Sequence, residues 1–470
     1  MSNKVRKPKN KLLKLLLSSS LVMTMGAFQV QAHTVQEAVA YTLQTSPDLL
    51  VNVNIREEAN KDFRNAYADY LPKVDVTGGV GPENSDNATT RAGLLNINTS
   101  RTLQRREFSL AGTQLLFDGF GVMHNVEGKK SRVKAASYRV DGSAQDVAEQ
   151  VVESFLEIHL RQQIVDVAQK NLDAHQSIYS QIEKRSEGGI GRKADLDQAI
   201  GRLARARTNL LAAKANLEDA KTTYLRIVGQ EPHNLVQPGN PAAGFPSTAD
   251  EAIQRAIANH PVLKAAYHDV DVTQSEYRKN RSVFVPRFTF DVGMQRNHNI
   301  DGALGDNDKN YAMVRFIWNV FRGGGDVAEL CRTAYRIQEA QEVRNRTYRE
   351  VAEKTQLDWT QYETAKKQLV HLKTHRDASI RTRDAYEKQF NIGQRTLLDL
   401  LDSENELFDA RSAYFEGENK LAVGMFRVLN SMGDLTKYLG VSLPKAADPQ
   451  PKAMFDGSGP FFEKTSKDFD

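Results

Sequence analysis

Cysteine is almost missing: Cys331 is the single one in 470 residues. A lone thiol closes no intrachain disulfide, and without partners it offers neither a redox pair nor a thiolate metal site. It reads as a small apolar residue in a packed position. Long hydrophobic runs are also lacking. Beyond residue 32 nothing approaches 18 consecutive apolar residues, so no transmembrane helix is expected, and any entry into a membrane has to be made with strands. Glycine and proline are both absent from Asp326–Ile392, 67 residues, and from Ser143–Glu187, 45 residues. Both runs are rich in Ala, Gln, Glu, Lys and Arg, the strong helix formers. A continuous helix over the longer run would reach roughly 100 Å, too long for a compact domain, so these are coiled-coil or tube-forming helices. Val151, Ile158, Val165, Leu172 and Tyr179 recur every seven residues, the period of a left-handed supercoil. Gln, Ser and Ala fill the spaces between, as on helices with one wet face.

Catalytic signatures are missing as well. There is no glycine-rich phosphate loop ending in Lys-Ser/Thr, no HExxH, and no thiol with a partnered histidine. His371 and His375 stand four apart on a helix, but no third ligand lies near them in sequence. No catalysis, metal or cofactor is expected.

Acidic residues are absent from the first 32 positions, which hold Lys4, Arg6, Lys7, Lys9, Lys11 and Lys14. A basic start, a short apolar core broken by Ser18–Ser20, and "VQA" ending at Ala32 make a secretory signal peptide, with the mature chain expected to begin at His33. Without this leader, 57 basic residues face 59 acidic ones. The formal charge of +4 therefore belongs to the leader, and no nucleic-acid partner is implied.

What the chain does have is period-two alternation between its helical blocks. Val74, Val76 and Val80 alternate with polar or small residues, as do Phe108 and Leu110; Phe288, Phe290, Val292 and Met294; and Val314, Phe316 and Trp318. One apolar and one polar face is the pattern of a half-buried strand. Long polar loops separate each pair, which fits an outer-membrane barrel with its apolar face toward lipid.

These pieces occur twice. "TVQEAVAYTLQTSPDLL" matches "TADEAIQRAIANHPVLK", Pro72 falls on Pro286, and "LLFDGFG" falls on "NVFRGGG". Each half orders helix, strand, strand, long helix, shorter helix. Proline cannot continue a helix and pushes its predecessor toward extended geometry. Pro72 and Pro286 thus mark helix-to-strand crossings, and Gly119 and Gly323 the return turns. Residues 33–237 form a first structural repeat and 238–439 a second, leaving 440–470 as a loosely ordered extension. Four strands close no barrel, and an open edge in lipid is excluded, so copies must share one; two or three copies give even strand numbers.

The duplicated halves, the two "LFDG"-like junctions and the two "IG" turns together resemble the TolC family of outer-membrane channel proteins, over essentially all of residues 33–439. The resemblance implies a mixed α/β membrane protein: a trimeric twelve-stranded barrel in the cell outer membrane, continuing into a long α-helical tube across the periplasm. It implies a homotrimer in contact with outer-membrane lipid, a periplasmic adaptor (membrane fusion) protein, and an inner-membrane transporter of the ABC ATPase class. Asp399 and Asp402, spaced i, i+3, fall on the family's gate constriction, and Arg395 and Asp197 on its gate-locking pair. Phe390 stands where the family has an aromatic hydroxyl and Leu196 where it has a polar partner, so the lock is expected to rest on the Asp197–Arg395 ion pair. Ile190, Gly191 and Arg192, with Ile392, Gly393 and Gln394, match the tips that meet the adaptor. The implied function is passive export in a tripartite system, leaning toward type I protein secretion, including channels that export large adhesins. Two alternatives stand beside it: a small-molecule or drug efflux duct, and a structural periplasmic coiled-coil protein.

Overall fold

The computed structural model describes residues 34–92, 100–188, 192–233, 235–236, 239 and 244–451. The leader and its cleavage site at Ala32, Ile190 and Gly191, and residues 452–470 lie outside the described residues.

The first half opens with α1 (Val35–Thr45) and α2 (Pro47–Ala68), then β1 (Lys73–Ser85), a single turn α3 (Ala88–Arg91) and β2 (Arg101–Phe117). It ends with α4 (Gly121–Glu187) and α5 (Lys193–Val228). The second half repeats the order with α6 (Ala249–Asn259), α7 (Pro261–Arg281), β3 (Arg287–His298), β4 (Asp306–Ile317), α8 (Gly325–Asn391) and α9 (Leu397–Ser431); a short α10 (Leu435–Tyr438) follows. The local chemistry repeats too. Thr34 and Glu37 close a reciprocal capping box on α1, and Thr248 accepts from Glu251 N–H to cap α6. Pro47 and Pro261 each occupy the first helical position, where a missing N–H costs nothing.

Pro72 directly precedes β1 and Pro286 directly precedes β3. On the return side Gly119 has φ +68° and Gly323 has φ +60°. Gly119 is held by space as well as conformation: a Cβ there would lie 2.0 Å from Val285 Cγ2.

The strands form one antiparallel sheet in the order β1-β2-β3-β4. Opposed residues such as Val76, Leu110 and Met294 share one face, and Val74, Val76, Val80, Phe290, Val314 and Phe316 on that face are all exposed. The other face is polar. There Thr77 and Ser109 share a 2.6 Å hydrogen bond, and Arg315 donates to Asp291 at 2.9 Å. Both outer edges of the sheet, β1 and β4, have no partner strand among the described residues.

The main core lies where the two halves meet. Val140 to Ile158 of α4 pack with Val35, Val39 and Leu43 of α1, Tyr224 and Val228 of α5, and Phe426, Leu429 and Leu435 from the chain's end. The start of the expected loose extension belongs to this body. Residues 440–451 include a single 3-10 turn, Lys445–Ala447, with Ala446 buried. The guanidinium of Arg56, only 2% exposed, donates to the carbonyls of Asp448 (3.3 Å) and Gln450 (3.0 Å) and to Ser137 Oγ. A buried guanidinium needs those acceptors, and the segment 448–450 supplies two of them. Cys331 also departs from expectation: it is exposed. Its helix, α8, packs mainly on α6, α7 and α9, and the side that carries Cys331 is left open among the described residues.

Candidate functional site: the helix tips

Far along the chain from the strands, α4, α5, α8 and α9 end together in a second apolar cluster. Ile178 and Ile182 of α4, Ala199 of α5, Phe390 of α8, and Leu397, Leu400 and Leu401 of α9 are buried in it, with Leu196, Tyr179 and Tyr386 at its edge. Phe390 and Leu196, which lack the hydrogen-bonding groups expected at their positions, are thus packing residues. Arg185 lies over the Phe390 ring at 5.1 Å.

The α8–α9 turn is built by its glycine. Gly393 takes φ +76° and donates to Phe390 O at 3.0 Å, while Gln394 N–H reaches Gln389 O at 2.9 Å. This pair of bonds is the Schellman ending that satisfies the last carbonyls of a helix. Ile392 is left 69% exposed, and Gln394 and Arg192 are also exposed.

Thr396 then caps α9. Its Oγ accepts from Asp399 N–H at 3.2 Å and donates to Asp399 Oδ2 at 2.8 Å, and its own N–H points at the same carboxylate. These hydrogen bonds, with Arg395 nearby, hold the Asp399 carboxyl below the usual carboxylate range. Asp399 is therefore a helix-capping group as well as an acid at the tip.

The expected Asp197–Arg395 pair is not made within the single chain. Arg395 is occupied on its own hairpin: it lies over the Tyr386 ring at 4.3 Å, donates to Gln389 Oε1 at 3.0 Å and sits 3.7 Å from Asp399 Oδ2. Asp197 is exposed and has no ion-pair partner among the described residues. At the tip an ion pair does cross from the first half to the second: Arg202 Nη2 to Asp402 Oδ1, 2.7 Å, joining α5 to α9. Nothing in the spacing of Arg202 singled it out, because its partner lies 200 residues away.

Behind the cluster runs a buried polar band. Asn171 donates to Glu404 O at 3.3 Å, and Arg383 Nε approaches Glu404 Oε1 at 3.7 Å. His175 is 1% exposed, and burial, with Arg202 nearby, pushes its imidazole below the ordinary histidine value. Burial raises the Glu404 carboxyl. The signal available in sequence was two polar residues four apart, Asn171 and His175, among the apolar positions of α4. His375, one half of the histidine pair, bonds Glu406 Oε1 at 2.7 Å across the α8–α9 hairpin.

A sheet with a lipid-compatible face, extended by long helices whose ends pack together in an apolar cluster, is the build of an outer-membrane channel with a periplasmic tunnel. The comparisons agree. The family model described as outer membrane efflux protein matches residues 39–230 and again 252–433. The chain belongs to the outer membrane efflux protein family, and its place is the outer membrane, reaching into the periplasm. It is 24% identical to the outer membrane efflux protein BepC of Brucella suis over 79% of this chain and 84% of that protein. It is 22% identical to the outer membrane protein TolC of Vibrio cholerae, over 91% and 96%, and 22% identical to the alkaline protease secretion protein AprF of Pseudomonas aeruginosa, over 85% and 83%. In structure it resembles the Campylobacter jejuni CmeC outer membrane channel, with a TM-score of 0.74, 14% identity, and coverage of 88% of this chain and 89% of that one.

Proposed function

We propose that the protein is the exit duct of a tripartite transport system, assembled from three copies around one twelve-stranded barrel. The observation that carries this is the open sheet: four strands with two unpaired edges and an exposed apolar face. Unpaired edge groups each cost several kcal/mol in hydrocarbon, so the sheet must be closed by copies of itself. A periplasmic adaptor and an inner-membrane pump supply recognition and energy, and the duct moves cargo passively. A purely structural coiled-coil role accounts for neither the strands nor the family.

The tip is the gate. Three copies would bring six carboxylates, Asp399 and Asp402 from each, around one opening. Each is partly offset by its own arginine, Arg395 or Arg202, so the ring is less acidic than its carboxylate count. Magnitudes favour the apolar cluster as the main closure. An exposed ion pair such as Arg202–Asp402 contributes about 0–1 kcal/mol, whereas a buried Phe390 contributes about 1.5–3 kcal/mol. The exposed Ile392, Gly393 and Gln394, together with Arg192, form the adaptor-facing edge, with Ile190 and Gly191 assigned there from sequence alone.

For cargo, type I secretion through an ABC ATPase pump is the preferred assignment, with a large protein such as an adhesin as passenger. It is supported by likeness to a protease secretion protein. Small-molecule efflux is the second possibility, favoured by likeness to an efflux protein of Brucella. Quantitative mass spectrometry of secreted and surface proteins from a deletion strain decides between them. Loss of one or a few large proteins, restored by complementation, assigns secretion; an unchanged profile with new sensitivity to toxic compounds assigns efflux.

A further inference from the structure

The outer end of the sheet carries a built feature that the duct model alone does not require. The loop between β3 and β4 closes its own neck: Asn299 N–H donates to Gly305 O at 2.9 Å, and Gly305 N–H donates to Asn299 Oδ1 at 3.0 Å. Asn299 and Asp301 hold φ of 56°, the left-handed region that asparagine and aspartate tolerate best after glycine. The loop does not stand up from its own strands. It crosses β2 and docks on β1, where Asp301 N–H donates to Glu83 Oε1 at 3.0 Å. From α3's cap, Asn87 Nδ2 donates to Asp301 O at 2.8 Å. Contact is close enough that a Cβ on Gly302 would lie 2.3 Å from Thr90 Cγ2.

The direction of this crossing follows from the pleat. Glu83 lies on the same face of β1 as Asp75 and Thr77, opposite Val74, Val76 and Val80. That is the polar face, which becomes the lumen once the apolar face meets lipid. Glu83 is itself fixed there, accepting from Ser85 Oγ at 2.6 Å and from Arg105 Nη1 at 2.7 Å, while Arg105 is braced by Glu107 at 2.5 Å.

We infer that residues 299–305 form a fixed ledge over the lumen side of the outer mouth, and that Glu83 is the positioning residue that holds it. The inference rests on the barrel proposed above. Three such ledges narrow the exit, so the outer aperture is set by a pinned loop rather than by the barrel wall. The ledge limits the size of what passes the mouth, independently of the gate at the helix tips.

Two measurements test this. First, Asn87→Cys with Asp301→Cys, in a Cys331→Ser background, is oxidised in intact cells. Rapid intrachain cross-linking in most of the molecules is expected; its failure overturns the docked ledge. Second, trimers in planar bilayers are sized with polyethylene glycols of graded mass added from the outer side only. Glu83→Ala should shift the exclusion limit to larger polymers, and Asn87→Ala should shift it less in the same direction. Unchanged limits in both variants overturn the aperture role even if the cross-link forms. Should Glu83→Ala not assemble, Asn87→Ala and the cross-link still decide. Absence of heat-modifiable trimers or of any conductance in the unaltered protein would count against the barrel itself, not the ledge.

Discussion

The two long helices are the same length, 67 residues each, and occupy the same place in the two halves, yet they live in different surroundings. From Val133 to Ile158, α4 buries a near-continuous series including Val140, Val147, Val151, Phe155 and Ile158, flanked by α2, α5, α7 and α9. The corresponding stretch of α8, residues 337–362, buries only Val351, Thr355, Asp358 and Tyr362 and exposes Val343, Tyr348 and Leu357, with Tyr335 exposed just before it. Duplication gave two equivalent elements, and their positions in the fold separated them. One became the centre of the chain. The other became an edge whose apolar side chains await a second copy.

The largest effect should come from breaking the buried helix. Phe155→Ala removes a ring with no exposure from the main core and should cost about 3–5 kcal/mol. Cells should lose folded protein altogether, seen as loss of both trimer and protease-resistant monomer. The edge should respond differently. Tyr335→Glu, at a residue 70% exposed, should leave the chain's helix content by circular dichroism intact while abolishing the heat-modifiable trimer. If both variants fail in the same way, the distinction between centre and edge is wrong.

At the tips the same contrast can be sharpened. Phe390→Ala should loosen the gate, raising bilayer conductance and antibiotic entry, because it hollows the apolar cluster that holds the helix ends of one chain together. A smaller change is expected with pH. The buried neutral His175 has a folded pKa below 6.5, so its contribution is full above pH 6.5 and is lost as pH falls below it. Glu404, with a raised folded pKa, works in the opposite sense: acidification relieves its burial cost. Where the His175 effect outweighs that of Glu404, the protection of amides along α4 and α9, corrected for their slower intrinsic exchange in acid, should fall between neutrality and about pH 5.5, and His175→Gln should remove or invert that trend. The smallest effect belongs to Arg202→Ala, worth about 0–1 kcal/mol. It should raise conductance only slightly, but more than Asp197→Ala, whose side chain pairs with nothing in the described chain.

Much of this was legible beforehand because it is periodic or local. The strand faces follow from alternation at Val74–Val80 and Phe288–Met294, the crossings from Pro72 and Pro286, and the turn from Gly393, since each rests on neighbours within a few residues. The Asp197–Arg395 pair is not made within one chain, because side-chain partners depend on which face of a helix meets which neighbour. Tyr386 and Gln389 simply reach Arg395 first. Cys331 was misjudged for a related reason: a helix of mixed composition does not reveal that one of its sides is left open.

By itself the sequence determined the number and order of elements, the duplication, and a sheet too small to stand alone in lipid, because backbone preferences and hydrophobic period act over short distances. Only the tertiary structure decided that Arg202 reaches Asp402, that Arg56 ties down the segment at Asp448 and Gln450, and that the β3–β4 loop crosses to Glu83. Those contacts join residues 200, 392 and 218 positions apart, and packing, not chain neighbourhood, chooses the partner.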